Sequence, residues 1–191
     1  TDAKVALCIA DVVGKGMPAA LLMSNLQAAV KAFASDSMQP RDLCAKVNRV
    51  ICSNIAANKF ITFFYCLHDS ERKSLVYTNA GHNAPILLRR GGSHLRLDRG
   101  GVVLGVFQDW SYEQSEIDFA SGDRVVLFTD GVTEVRDSDG EEYGEKRLIH
   151  LLESNRHLGA EALQKCVMDS LVDFSGGEFQ DDATLIVMSA D

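Results

Sequence analysis

The chain has 191 residues, 46% of them hydrophobic, and a formal net charge of −8 at neutral pH. That length predicts a single domain over residues 1–191 with a core of its own. The acidic balance, without a basic run or a basic–aromatic stripe, argues against nucleic acid as a partner. No apolar stretch nears the ~20 residues of a membrane span and no signal peptide is visible, so no membrane contact is expected from this chain. Five scattered cysteines (Cys8, Cys44, Cys52, Cys66 and Cys166) show no CxxC spacing. They read as reduced thiols buried as small apolar groups, and the expected location is cytoplasmic.

In chain order, residues 4–10 read as a buried strand, followed by the turn Asp11-Val12-Val13-Gly14-Lys15-Gly16. Leu22, Leu26, Ala29, Val30 and Phe33 recur at helical spacing, predicting a helix over about 17–35 with Pro18 in its first turn. Pro40 opens a second helix with Leu43, Val47, Val50, Ile51 and Ile55 on one face, and the two form an αα-hairpin across Ser35–Gln39. Phe60–Leu67 is apolar on both alternating faces, as in a central strand. It pairs back on Ser74–Ala80 through the polar turn Asp69–Lys73. Pro85–Arg89, Gly91-Gly92 and His94–Leu97 predict another hairpin, and an irregular stretch surrounds Val102–Leu104. A half-exposed strand is expected over Trp110–Ile117 and a buried one over 124–128. A loop follows over 136–144, then helices at about 145–154 and 159–174, and a last strand over 184–189. Paired helices separated by runs of strands indicate an α+β fold.

Three of these strands begin or end on carboxylates. Asp11 follows the first, Asp130 follows the buried strand 124–128, and Asp181-Asp182 precede the last. Asp11 by itself suits either a metal ligand or a turn cap. Three acidic groups gathered at strand ends would repel one another unless a divalent cation neutralised them. Oxygen-only ligation favours Mg²⁺ or Mn²⁺ over Zn²⁺.

Asp11-Val12-Val13-Gly14-Lys15-Gly16, Asn79-Ala80-Gly81-His82-Asn83, Phe128-Thr129-Asp130-Gly131-Val132-Thr133-Glu134 and Asp181-Asp182-Ala183-Thr184 occur in that order. Together they resemble the motifs of the bacterial SpoIIE/RsbU-type serine phosphatases, a branch of the PPM (PP2C-like) metal-dependent protein phosphatases. The resemblance implies an αββα sandwich of two antiparallel sheets flanked by helices. It also implies metal-assisted hydrolysis of phosphoserine or phosphothreonine without a covalent phosphoenzyme. Asp11 would be the bridging ligand with the Val12 carbonyl nearby, Asp130 and Asp181 would complete one shell, and Asp182 would support them.

Two Mn²⁺ or Mg²⁺ ions are expected in the family. Its upstream motif, resembling Gly-Gly-Asp-Tyr-Tyr-Asp, is missing from this sequence. The sandwich is therefore expected to lack its N-terminal strands, and the second metal to be short of a ligand. The implied substrate is a phosphorylated bacterial regulator of the anti-anti-sigma (STAS-like) kind. An upstream sensor or receiver domain would control the enzyme, and an apolar surface left bare would favour a homodimer. Two other readings stay open: a catalytically inactive partner-binding module on the same fold, and a small-molecule phosphoesterase.

Other signals point elsewhere or nowhere. Gly14-Lys15 lacks both the upstream Gly and the following Ser/Thr of a P-loop. Asp137-Ser138-Asp139-Gly140-Glu141-Glu142 lacks the calcium-loop spacing and reads as a solvated turn. Lys15 reads as a solvated turn lysine, and Glu134 as either a support to the site or an exposed residue. His82 is expected to brace a turn through hydrogen bonds. His68, His94, His150 and His157 read as surface residues, and no Gly-x-Ser-x-Gly elbow is present.

Overall fold

The computed structural model describes residues 4–35, 37–55 and 59–190. It comprises two compact units: residues 1–82 with 98–118, and residues 83–97 with 119–191.

The first unit opens with β1 (Lys4–Val12), α1 (Met17–Phe33) and α2 (Pro40–Asn54), followed by β2 (Ile61–Asp69) and β3 (Ser74–Ala80). Within it β1 pairs antiparallel with β2, and β2 with β3, so β2 is interior to the sheet. Its run Phe63–Cys66 is buried on both faces, as its unbroken apolar sequence requires. The β2–β3 turn places Lys73 at φ 51°, and Asp69 closes it by accepting the Arg72 N–H at 2.9 Å. Helices α1 and α2 cover one sheet face through Leu22, Leu26, Leu43, Cys44, Val47 and Ile51, which meet Val12, Ile61, Phe63 and Tyr65. Helix α1 stops at Phe33, two residues short of the expected end, because Ala34 turns to extended backbone.

The second unit takes β4 (Ile86–Leu88) and β5 (His94–Arg96), the hairpin expected across Gly91-Gly92. The chain returns to the first unit for β6 (Gly100–Gly101), parallel to β3, and β7 (Ser115–Asp118), antiparallel to β3. The strand expected over Trp110–Ile117 is therefore confined to its C-terminal part. Upstream of β7 the backbone is committed elsewhere: Trp110 N–H closes a turn on the Phe107 carbonyl, Glu113 N–H bonds Gly100, and Tyr112 is buried in the core.

The rest of the second unit is β8 (Arg124–Phe128), α3 (Asp130–Thr133), α4 (Gly144–Ser154), α5 (Ala160–Ser175) and β9 (Leu185–Ser189). Its sheet runs β5-β4-β8-β9, antiparallel throughout. Leu163, Val167 and Leu171 lie along one face of α5, wholly buried with Leu148 and Leu152 of α4 against Val126 and Phe128. Each such side chain contributes about 1.5–3 kcal/mol. Gly176, in the left-handed region at φ 67°, caps α5, and Gly177 N–H bonds the Val172 carbonyl. The short helix α3 was not expected from the sequence.

Among the described residues, two sheets whose pairings are almost all antiparallel, with five helices, make the expected α+β fold. Cys44 and Cys66 are buried as expected, whereas Cys8, on the edge strand β1, is exposed. Burial pushes the Cys66 thiol up to about 12 and that of Cys44 higher still, so both are inert at neutral pH. No helix among the described residues is long and apolar enough to cross a membrane.

Candidate metal centre

The second unit carries Asp130, Asp181 and Asp182. Strand β8 delivers Asp130 as the first residue of α3, half-buried, while Asp181 and Asp182 lie exposed just before β9. Thr129 joins the two turns. Its Oγ1 accepts the Thr184 N–H at 3.0 Å and donates to the Asp182 carbonyl at 3.3 Å, while its own N–H donates to the Thr184 carbonyl at 3.1 Å. Gly131 lets them approach: a Cβ there would strike the Asp182 carbonyl. Each turn is also closed by its own carboxylate. Asp130 Oδ1 accepts the Gly131 N–H at 2.8 Å, and Asp181 Oδ1 the Asp182 N–H at 2.9 Å.

Asp11 and Val12 belong to the first unit, at the C-terminal end of β1. Asp11 is half-buried and lies directly across from Thr62 in the β1–β2 register. The following loop is held by Lys59, whose Nζ donates to the Val13 carbonyl at 3.2 Å. Gly14, at φ 101°, holds a backbone conformation that side-chain-bearing residues rarely adopt.

The Asn79–Asn83 motif proves to be a buried clamp. The Asn79 side chain accepts the His82 N–H at 2.7 Å and donates to the His82 carbonyl at 3.0 Å. Gly81, at φ 70°, makes the turn against Val103. His82 Nδ1 then lies 2.8 Å from Thr62 Oγ1. His82 thus braces a turn as expected, with Asn79 and Thr62 as partners that local pattern does not reveal.

Elsewhere, Asp137 Oδ1 accepts the N–H groups of Asp139 and Glu141, which makes that acidic stretch a self-closed turn. Glu134 ends α3 and is exposed.

Among the described residues no three His, Cys, Asp or Glu side chains gather closely enough to constitute a metal site. On the second unit Asp130, Asp181 and Asp182 offer carboxylate oxygens, the donors a hard divalent cation takes. The cradle at Gly131, closed to any side chain, holds two carboxylate-bearing turns together. By donor chemistry and by cradle, these residues fit Mg²⁺ or Mn²⁺.

Comparison with known proteins extends over the whole chain. A family model described as "Stage II sporulation protein E (SpoIIE)" matches residues 1–191. The chain is similar to the phosphoserine phosphatase RsbU of Bacillus subtilis, 35% identical over 184 residues, 95% of this chain and 54% of the relative; it thus spans about half of that protein. Among solved structures, the SiaA-PP2C domain of Pseudomonas aeruginosa superposes with a TM-score of 0.85 at 20% identity, covering 98% of this chain and 80% of that one. The RsbU and RsbW domains of a Mycobacterium tuberculosis protein superpose at 0.82 with 23% identity, covering 98% of this chain and 52% of that one. At these identities the structures show a shared fold, which is PP2C-like.

Proposed function

The chain belongs to the SpoIIE family, and on that premise we propose that residues 1–191 act as one phosphatase domain, hydrolysing phosphoserine or phosphothreonine on a protein substrate with a divalent cation. The observation that carries the reading is the Thr129 junction, which holds the Asp130 turn against the Asp181–Asp182 turn. The proposed metal-holding groups are Asp130 and Asp181 on the second unit, with Asp182 in support, and Asp11 with the Val12 carbonyl on the first.

A bound Mn²⁺ or Mg²⁺ supplies Lewis-acid polarisation and neutralises charge on a phosphoryl group. The chain's own part is positional. Thr129 and Gly131 set the separation of two carboxylate turns, and Lys59 fixes the backbone beyond Asp11. Rigid placement of this kind lowers the barrier by removing reorganisation at the moment of reaction. The similarity to a phosphoserine phosphatase supports phosphoserine as the group acted on, and the substrate proposed is a phosphorylated regulatory protein of the anti-anti-sigma kind. A sensor or receiver domain elsewhere in a longer protein would then control the activity, and the domain would work in the cytoplasm.

The test is turnover of a phosphoserine peptide with Mn²⁺. Activity abolished by EDTA and in Asp130→Ala supports the reading. A folded wild-type protein silent with Mn²⁺ and Mg²⁺ overturns it in favour of a partner-binding module.

A further inference from the structure

We infer that His82 is a positioning residue for Asp11, acting through the hydroxyl of Thr62; the inference deepens the proposed function and rests on it where metal binding is concerned. Directly opposed residues of an antiparallel pair project from the same face of the sheet, so Asp11 and Thr62 share a face. That face is the one opposite α1 and α2, since Val12, Ile61 and Phe63 take the helix-covered side. Phe64 and Asn79 are likewise directly opposed on β2 and β3, and Phe64 stands two residues from Thr62 on the same face of β2. Asn79, Thr62 and Asp11 therefore lie on one sheet face, with His82 bonded to two of them.

The contacts run in a single order. Asn79 grips the His82 peptide from both sides, and His82 Nδ1 lies 2.8 Å from Thr62 Oγ1. Thr62 Oγ1 donates to the Asp11 carbonyl at 3.5 Å. The Thr62 hydroxyl has one proton, and a carbonyl can only accept. Both contacts are satisfied together when His82 Nδ1–H donates to Thr62 Oγ1 and the Thr62 proton goes to Asp11. His82 is 7% exposed and its turn depends on a left-handed Gly81, so its position is tightly determined. Asn79 and His82 are also among the few buried polar residues of this unit. Buried polar groups without structural need are costly, and here they end on the peptide of a candidate ligand. The relay adjusts the strand end that carries Asp11 and touches no substrate.

Thr62→Val removes the hydroxyl at nearly constant shape, Thr62→Ser keeps it, and His82→Ala removes the brace. In the 191-residue chain, Mn²⁺ binding followed by calorimetry should weaken about tenfold in Thr62→Val and in His82→Ala, the scale of lost support behind a metal ligand. Thr62→Ser should stay within about twofold of wild type, and the double variant should be no worse than either single change, as for members of one network. Excess Mn²⁺ should restore kcat with the peptide KM unchanged, a response that general loosening of the fold would not give.

Wild-type Mn²⁺ affinity in Thr62→Val, beside its loss in Asp11→Ala, would overturn the relay and leave the metal reading standing. Equal Mn²⁺ binding by wild type and Asp11→Ala would overturn the assignment of Asp11 as ligand. The relay is then decided by amide hydrogen exchange over residues 10–13 in metal-free protein. Faster exchange in Thr62→Val and His82→Ala but not in Thr62→Ser supports it, and unchanged exchange overturns it.

Discussion

Thr129 Oγ1 accepts the backbone N–H of Thr184 at 3.0 Å, across 55 residues of sequence. One hydroxyl thereby ties the end of β8 to the residue preceding β9 and sets two acidic turns side by side. Thr129→Val keeps the shape and removes the bond. The expected loss is about 1 kcal/mol of stability, or roughly 2–4 °C in Tm for a domain of this size. Phosphatase activity should fall more than about tenfold, as when the support behind a metal ligand is lost. Thr129→Ser should keep most of both, and melting curves beside peptide turnover check it.

Gly131 tests the same junction by crowding it. A Cβ there would meet the Asp182 carbonyl, a backbone atom that cannot rotate away. Gly131→Ala should destabilise by about 1–3 kcal/mol, the range for overpacking, and abolish most turnover. Gly159, where a Cβ meets nothing within 4 Å, is the control. Gly159→Ala should leave activity unchanged and alter stability by at most about 1 kcal/mol, as at a helix N-cap.

An ion pair between buried Asp123 and half-buried Arg89 makes the second unit sensitive to acid. Asp123 accepts from Arg89 at 2.8 Å, from the Arg90 N–H at 2.9 Å and from the Ala120 N–H at 3.2 Å. Burial by itself would raise its carboxyl; the Arg90 N–H, the Arg89 guanidinium and the Ala120 N–H together outweigh that and lower it. A depressed carboxyl stabilises the fold above its unfolded value of about 3.9, and that stability is lost as pH falls from there through the folded value. Asp123→Asn should flatten the slope of stability against pH below about pH 4 and cost about 1.5–3 kcal/mol near neutrality, the range for a hydrogen bond to a charged group. Urea denaturation at a series of pH values measures both effects.

Asn48, fully buried on α2, holds the loop that precedes Tyr112. Its amide donates to the carbonyls of Phe107 at 2.8 Å and Gln108 at 3.2 Å and accepts the Gly105 N–H at 2.9 Å. Asn48→Leu leaves those backbone groups unmatched and should cost about 1–3 kcal/mol, or roughly 2–12 °C in Tm. Asn48→Asp should be at least as damaging, since it sets a carboxylate against two carbonyl oxygens. Differential scanning calorimetry ranks the two.

Legibility in the sequence followed the range of the physics involved. Periodicity of 3.6 residues marked α1, α2 and α5, and unbroken apolar runs marked β2 and β8, because burial of a repeating face is a local pattern. The turn at Gly91-Gly92 was readable from its glycines, which is likewise a local signal. The carboxylates Asp11, Asp130, Asp181 and Asp182 stood out as acidic groups at strand ends, and their motif order pointed to the family.

What the tertiary structure alone decided are the partners. Helix α3 is only four residues long, too short for periodicity to register. The stretch from Trp110 to Gln114 alternates like a strand, yet its backbone groups are taken by Gly100 and Phe107 and its Tyr112 by the core. Asn48 reaches 59 residues to Phe107, and His82 reaches Thr62 across a turn that only Gly81 permits. A hydrogen bond depends on where two groups end up in space, and a linear pattern records only what each residue prefers beside its neighbours. The sequence by itself therefore determined the elements and their acidic ends. Packing decided which turns meet and what holds them there.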